Sequence, residues 1–375
     1  MAKRKLNVVI GKYDPRGSKV SEMTGLKSYQ FIMQYAAIES NGLDVQLRGS
    51  YINIYYKGGN LLKLSGGQTY DFDKNYFYLP EKDGLRMTDI ERLCHPDYIT
   101  KADESKFLKP RKEELSSLRE EALDIMQSLT NKNNDIINRL KTSESFDSTA
   151  KVLDKMKKTI DDWKDCLAKN GIRKSKVGER IVQHYISLQN KKFDDKTDFI
   201  VLDLEYALST NALYAKDEER EKQPRIDVLA IEKGTGQVYV MELKYGMKSV
   251  GGDASAKKHY KDYLATVGDD SKWKSFIEDV KILLQAKKNL LIVDKNVKIA
   301  DKKPVFAFIM KKEKDSDEKE FNEHLEKNDM LNIKTIYLPV EENYNFPSSD
   351  GHKLSKSCMK SLIPQHFDLT LFISS

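Results

Sequence analysis

PRIDVLAIEKGTGQVYVMELKY, residues Pro224 to Tyr245, holds two apolar runs on either side of a short polar turn, and each run carries an acid where a buried strand should not. The first arm is Ile226 with Val228 to Ile231, and the second is Val238 to Met241 with Leu243. β-Branched and aromatic residues dominate both arms, which predicts an antiparallel hairpin. The turn falls on Lys233-Gly234-Thr235-Gly236. A two-residue loop at Gly234-Thr235, with the glycine supplying the positive φ, sets 233 against 236. Counting back from there puts Asp227 directly across from Glu242.

Directly opposed residues of such a ladder have Cβ atoms roughly 4.5–5.5 Å apart, and like charges there are destabilising. Lys244 follows Glu242 by two residues and so shares its face, whereas Leu243 points into the opposite layer. Two acids and an amine then line one patch on otherwise apolar strands. A divalent cation between the carboxylates would neutralise them, and hard oxygen ligands suit Mg²⁺. The plainer alternative is a solvated hairpin end with an ordinary Glu-Lys pair. An added Asp at matching register within apolar arms favours a site over that alternative.

The 375 residues are enough for two or three domains and a sizeable core. A formal charge of +6, with 33% of residues charged, is a mild basic excess and not the footprint of a constitutive nucleic-acid coat. The three cysteines, Cys94, Cys166 and Cys358, are scattered, so neither a disulfide framework nor a zinc site is expected. The N-terminal MAKRKLNVVIG has too short an apolar run for a signal peptide, and no stretch approaches a membrane span. A cytoplasmic protein without membrane contact is the expectation.

Residues 1–98 read as a β-rich N-terminal domain. Leu6 to Ile10 is an expected strand and Met23 to Ile38 an expected helix. Val45 to Leu47, Tyr51 to Tyr56, Leu61 to Leu64 and Tyr76 to Leu79 form an expected meander, with Lys57-Gly58-Gly59-Asn60 as a hairpin turn. Gly11 to Lys19 follows the first strand, but its spacing is one too long for a phosphate loop and its Ser-Lys order is reversed. Tyr51, Tyr55 and Tyr56 with Lys57 and Arg48 have the chemistry to stack on bases; on a meander, core packing is the commoner use of such residues. Residues 99–174 read as a helical linker or arm of two amphipathic helices, broken at Thr142 to Ser148, with Ser145 or Asp147 as the cap of the second. These first 174 residues are where a homodimer or a partner protein would be met.

From Ser175 onward the expected order is a helix to Asn190, a strand Phe199 to Leu204, a charged loop to Glu221 and then the hairpin. Helices Ala256 to Val267 and Lys272 to Ala286 follow, then strands Val305 to Ile309 and Thr335 to Val340 around a helix from Asp317 to Leu325. Ala256, Tyr260, Tyr263, Leu264 and Val267 form the expected inward face of the first of those helices, and His259, bordering that face, reads as a packing residue. Phe367 to Ile373 is an expected last strand.

This order, with Asp227 before and Glu242-Leu243-Lys244 at the end of the third strand, resembles the PD-(D/E)xK nuclease superfamily, the restriction-endonuclease-like fold. The resemblance covers roughly residues 175 to 345, and the domain is drawn as 175–375. Where the family has Pro-Asp this chain has Ile226-Asp227, with Pro224 two positions before the isoleucine. The implied architecture is α/β, an αβββαβ core with a mixed sheet. The resemblance implies that Asp227, Glu242 and the Leu243 backbone carbonyl hold Mg²⁺, with Mn²⁺ able to substitute, and that Lys244 orients or activates the attacking water. Glu179 matches the acid that many members carry on the first helix, beside the plain reading of a surface acid.

The implied activity is metal-dependent hydrolysis of phosphodiester bonds, with DNA preferred to RNA as the partner and bacterial defence against foreign DNA as the context. Such hydrolysis needs a cation to stabilise phosphoryl charge and lower the pKa of a bound water, and Lys244 would add positive charge where the anion develops. Lys248, Lys257, Lys258 and Lys261 make the following stretch locally basic, and Lys257 and Lys261 share one side of a helix that could meet a nucleic-acid backbone. Their plainer use is the solvent face of that helix. A non-catalytic binding module on the same fold, or an RNase, are the alternatives.

Overall fold

The computed structural model describes residues 27–48, 51–65, 69–79, 87–95, 112–170, 179–190, 197–207, 225–251, 255–270, 272–290, 292–330, 332–340 and 359–360. The architecture is mixed α/β, with eight α-helices and two sheets among the described residues. The chain separates into two compact units: Asp44–Tyr51 goes with the residues from 179 onward, and residues 27–43 and 52–170 form the other. Among the described residues no helix is long and apolar enough to cross a membrane.

The second of these units holds α1 (Lys27–Ala37), β2 (Tyr51–Tyr56), β3 (Gly59–Ser65), β4 (Thr69–Asp71), α2 (Met87–Cys94), α3 (Lys112–Lys141) and α4 (Phe146–Lys169), apart from Tyr51. β1 (Leu43–Leu47) lies in the first unit except for Leu43. A tight turn at Lys57 and Gly58, with φ of 48° and 73°, joins β2 to β3, as a two-residue hairpin requires. Tyr55 and Tyr56 are buried, so these rings serve the core and are not a base-stacking surface. The segment Tyr76 to Leu79 is not a strand. Asp73 accepts the Asn75 N–H at 3.0 Å and starts a 3₁₀ turn over Lys74–Phe77, leaving Thr69–Asp71 as the fourth strand. α4 begins where the sequence predicts a break, and Ser145 Oγ caps it by accepting the Ser148 N–H at 3.2 Å.

The first unit continues with α5 (Glu179–Gln189), β5 (Phe199–Ala207), β6 (Arg225–Glu232), β7 (Val238–Tyr245), α6 (Ala256–Ala265), α7 (Trp273–Asn289), β8 (Val305–Lys311), α8 (Asp317–Lys327), β9 (Lys334–Leu338) and β10 (Met359–Lys360). Six strands form one sheet in the order β10-β9-β8-β7-β6-β5. β5, β6 and β7 are an antiparallel meander, and β8 lies parallel to β7 and β9 parallel to β8. β7 is buried along its length except for Tyr245, as expected of a central strand covered on both faces. On one face Phe306 meets Tyr260 and Tyr263 of α6, and Phe308 meets Phe321 of α8. Elsewhere Tyr206 packs edge-on against Phe276 of α7. Leu264 is 46% exposed, so the inward face predicted for α6 is too wide by that residue. The strand expected to end at Leu204 continues to Ala207; the predicted strands Leu6 to Ile10 and Phe367 to Ile373, the reversed phosphate loop and the charged loop beyond Ala207 lie outside the described residues.

Candidate active site

β6 and β7 pair from Ile231–Val238 to Val228–Met241, a register that, carried one step further, would bring Asp227 opposite Glu242. The predicted register therefore holds, although the turn differs. Glu232 N–H donates to the Gln237 carbonyl at 2.9 Å and Gly236 N–H to the Glu232 carbonyl at 2.8 Å, which closes a loop over Lys233 to Gly236. The positive φ, 72°, is at Gly236 and not at Gly234. Widening a loop by one residue on each side leaves the ladder beyond it in step.

Past Val228 and Met241 the two strands separate. Glu232 donating its N–H to the Gln237 carbonyl fixes the alternation, so in a continued ladder Leu243 N–H would meet the Ile226 carbonyl. Instead it donates to Asp227 Oδ2 at 2.9 Å. β6 here remains with β5, through Tyr206–Ile226 and Ala207–Arg225, while β7 remains with β8, through Glu242–Phe308 and Lys244–Met310. The N–H and C=O of one strand residue point the same way, so the Leu243 carbonyl lies on the edge that carries the Asp227 side chain. Asp227, Glu242 and this carbonyl are oxygen donors around one opening.

Glu242 and Lys244 are both buried. Lys244 Nζ lies 3.0 Å from Glu242 Oε1, and His259 Nε2 of α6 lies 3.1 Å from the same oxygen. Burial pushes the Glu242 carboxyl up to about 7; Lys244 and a hydrogen bond with Asp227 act downward, and Glu179 upward. Burial first and the Glu242 charge second raise Asp227 well above the usual carboxylate range, with the Leu243 N–H partly offsetting them. Two neighbouring buried carboxyls cannot both ionise cheaply, so without a counter-ion the pair retains a proton near neutrality. His259 is pushed down to about 4 by burial and by Lys244 and Lys258. Its imidazole is neutral at pH 7 and stands beside Glu242 without a charge of its own. A cavity of about 60 Å³ beside Glu242 and His259, edged by Arg225, Asp262, Tyr263 and Phe306, has room for water.

Of the residues singled out from sequence, Asp227, Glu242, the Leu243 backbone and Lys244 meet at this opening. Glu179, in the first turn of α5, joins them electrostatically: desolvation raises its carboxyl, Lys244 acts downward and Glu205 upward. Lys248, Lys257, Lys258 and Lys261 are exposed and stand outside the acid cluster, although the Lys258 charge reaches His259. His259, the residue expected to border the apolar face of α6, also brings its Nε2 to 3.1 Å from Glu242. Glu205 is a further acid of the site, one that no sequence motif marks. Leu204–Val228 and Tyr206–Ile226 place it across from Asp227 on β5, its φ is 51°, and Gln183 Nε2 donates to its Oε1 at 3.0 Å.

A bulge between Val201 and Asp203 shifts the register of β5 by one residue, which conceals Glu205 from a count along the sequence. Among the described residues no three His, Cys, Asp or Glu side chains close into a ready cation cage. Two carboxylates that repel each other and a nearby carbonyl are nonetheless a hard-oxygen set of the kind that takes Mg²⁺ with several of its own waters. Comparison with family models, with curated proteins and with solved structures found no match.

Proposed function

We propose that this protein is a metal-dependent nuclease that hydrolyses phosphodiester bonds of DNA at the opening between β6 and β7. The observation that carries the reading is the Asp227–Glu242 pair, brought into register on one sheet face with Lys244 beside it and its carboxyl groups kept from joint ionisation. An acid pair of this kind gains from a divalent cation in place of the shared proton. The helix, the three-stranded meander, a crossover of two helices in place of one and the strand parallel to β7 support the order that the PD-(D/E)xK resemblance implies.

Asp227 and Glu242 would hold Mg²⁺ or Mn²⁺ with the Leu243 carbonyl as a third donor. Bound there, the cation supplies charge stabilisation of the phosphoryl oxygens and a water of lowered pKa. Asp227 is oriented by the Leu243 N–H, and Glu242 by Lys244, so both enter the reaction preorganised. Lys244 Nζ places a positive charge on the face where the phosphoryl anion grows and can hold the attacking water by hydrogen bond. Exposed Lys248, Lys257, Lys258 and Lys261 would meet phosphates of the strand. The test is incubation with single- and double-stranded DNA and RNA, with Mg²⁺, Mn²⁺ or EDTA. Cation-dependent cleavage of DNA is expected; cleavage of RNA alone reassigns the substrate, and no cleavage of any of the four overturns the reading.

A further inference from the structure

Asp44, Gln46 and Arg48 stand two apart along β1 and just beyond it, so their side chains leave on one face. Asp44 is fully buried. It accepts from His184 Nδ1 at 2.6 Å and Ser187 Oγ at 2.8 Å, both on α5. Gln46 Nε2 donates to Asp44 and to Ser187 Oγ, each at 2.9 Å, and its Oε1 accepts from Lys287 Nζ of α7 at 3.1 Å. Lys287 Nζ also reaches the Leu202 carbonyl, at the bulge of β5. Arg48 Nη1 donates to the Leu204 carbonyl at 2.6 Å and lies 3.5 Å from Asp203 Oδ1.

Most of these bonds end on α5 or β5, the elements that carry Glu179 and Glu205. α5 carries Glu179 in its first turn and Gln183, which holds Glu205. β5 carries Glu205 itself, in a left-handed backbone conformation that persists only where the surroundings over-determine it. Arg48 supplies that determination from one side, by anchoring the carbonyl of the peptide just before Glu205, and Gln183 from the other. Apolar side chains of similar volume would often hold such an interior together as well as buried charges do, so cohesion alone does not account for a network this polar.

We propose that Arg48 is a positioning residue of the candidate active site, fixing Glu205 opposite Asp227 through the Leu204 carbonyl, and that Asp44 does the same for α5. The segment from 44 to 48 is then a working part of the catalytic unit, although the chain just before Asp44 and just after Tyr51 belongs to the other unit. The inference rests on the nuclease reading, and its test separates the two.

The full-length chain is compared with Arg48→Met and Arg48→Lys. DNA cleavage, calorimetric Mn²⁺ binding and amide exchange over residues 203–207 are measured on each. In Arg48→Met kcat should fall by about tenfold or more with KM within about twofold, because a misplaced acid is lost to the transition state and not to substrate binding. Mn²⁺ affinity should weaken by about tenfold, as on removal of an outer-shell partner. The Glu205 and Tyr206 amides should exchange faster. Arg48→Lys, which keeps a donor near the Leu204 carbonyl, should recover much of each loss. It also serves as the test if Arg48→Met does not fold, because a folded lysine variant should still show a measurable drop in kcat without a change in KM. A folded variant with unaltered kcat and Mn²⁺ affinity, whatever its melting temperature, makes Arg48 structural only and overturns the proposal. A wild-type chain that neither binds Mn²⁺ nor cleaves any nucleic acid overturns the nuclease reading and this proposal with it.

Discussion

Asp227 accepts the backbone N–H of Leu243 at 2.9 Å, where the Ile226 carbonyl would sit if β6 and β7 stayed paired. One side chain thus replaces a ladder hydrogen bond and holds the strands apart at the point where Glu242 comes into register. Asp227→Asn retains an oxygen acceptor for Leu243 N–H and should fold normally. It removes the charge that a cation would need, so cleavage should fall by about 10³-fold. Glu242→Gln should act alike, Lys244→Ala should cost about 10²–10³-fold, and EDTA should abolish the wild-type activity. Melting curves beside turnover rates check this: any of the three variants cleaving at wild-type rate would remove its residue from the mechanism.

Stability should depend on pH through the same pair. The Glu242 carboxyl is raised from an ordinary 4.5 to about 7, so between these values the folded chain holds a proton that the unfolded chain lacks, and stability falls as pH rises. His259 is lowered from 6.5 to about 4 and acts oppositely, adding stability as pH rises through that interval. Asp227, raised by burial and the Glu242 charge, acts in the same direction as Glu242, and His259 offsets part of this up to about pH 6.5, above which the carboxyl effect is unopposed by it. Without divalent cation the melting temperature should therefore drop between about pH 6.5 and 7.5. Mg²⁺ should suppress the drop by taking the place of the proton, and Glu242→Gln should flatten it. A cation-free melting temperature that climbs across this window in the wild type would contradict the assignment.

The exposed lysines of α6 give a prediction that depends on salt. Lys257 and Lys261 are four residues apart and exposed. If both neutralise phosphates, replacing both with Ala should raise KM for DNA while kcat holds. The slope of log affinity against log salt should become shallower by about 2. Binding isotherms at stepped KCl concentrations measure this directly, and an unchanged slope would return these side chains to the plain solvent face of a helix.

The arrangement of Asp227, Glu242 and Lys244 was legible because it depends only on a period of two and a nearby turn, both local. The turn itself was misread as to which glycine takes the positive φ, but the miss was symmetric about the loop centre and left the register untouched. Glu205 depends on pairing between strands separated by a long charged segment and on a bulge within β5, neither of which leaves a periodic trace. His259 borders an apolar helix face, and its approach to Glu242 depends on where α6 lies against β7, which no local pattern records. Asp73 illustrates the reverse case: its cap turned an apparent strand at Tyr76 into a 3₁₀ turn, a local competition that hydrophobic pattern alone does not register.

The two turn glycines should behave differently on substitution. Gly236 has φ of 72°, and an added Cβ would stand 2.9 Å from both the Lys298 carbonyl and the Ala300 nitrogen. Its N–H closes the loop onto Glu232, and its carbonyl accepts from Ala300 N–H at 2.8 Å, so the residue cannot readily move away. Gly236→Ala should cost about 1–3 kcal/mol from the strained backbone together with the clash. Gly234 has nothing within 4 Å of where its Cβ would be, and Gly234→Ala should be neutral or slightly stabilising because it restricts the unfolded chain. Chemical denaturation of the two variants decides the matter. The opposite order would mean that Gly234 takes the positive φ in a two-residue loop, which keeps Asp227 opposite Glu242, whereas equal and large losses would mean that the loop is clamped throughout.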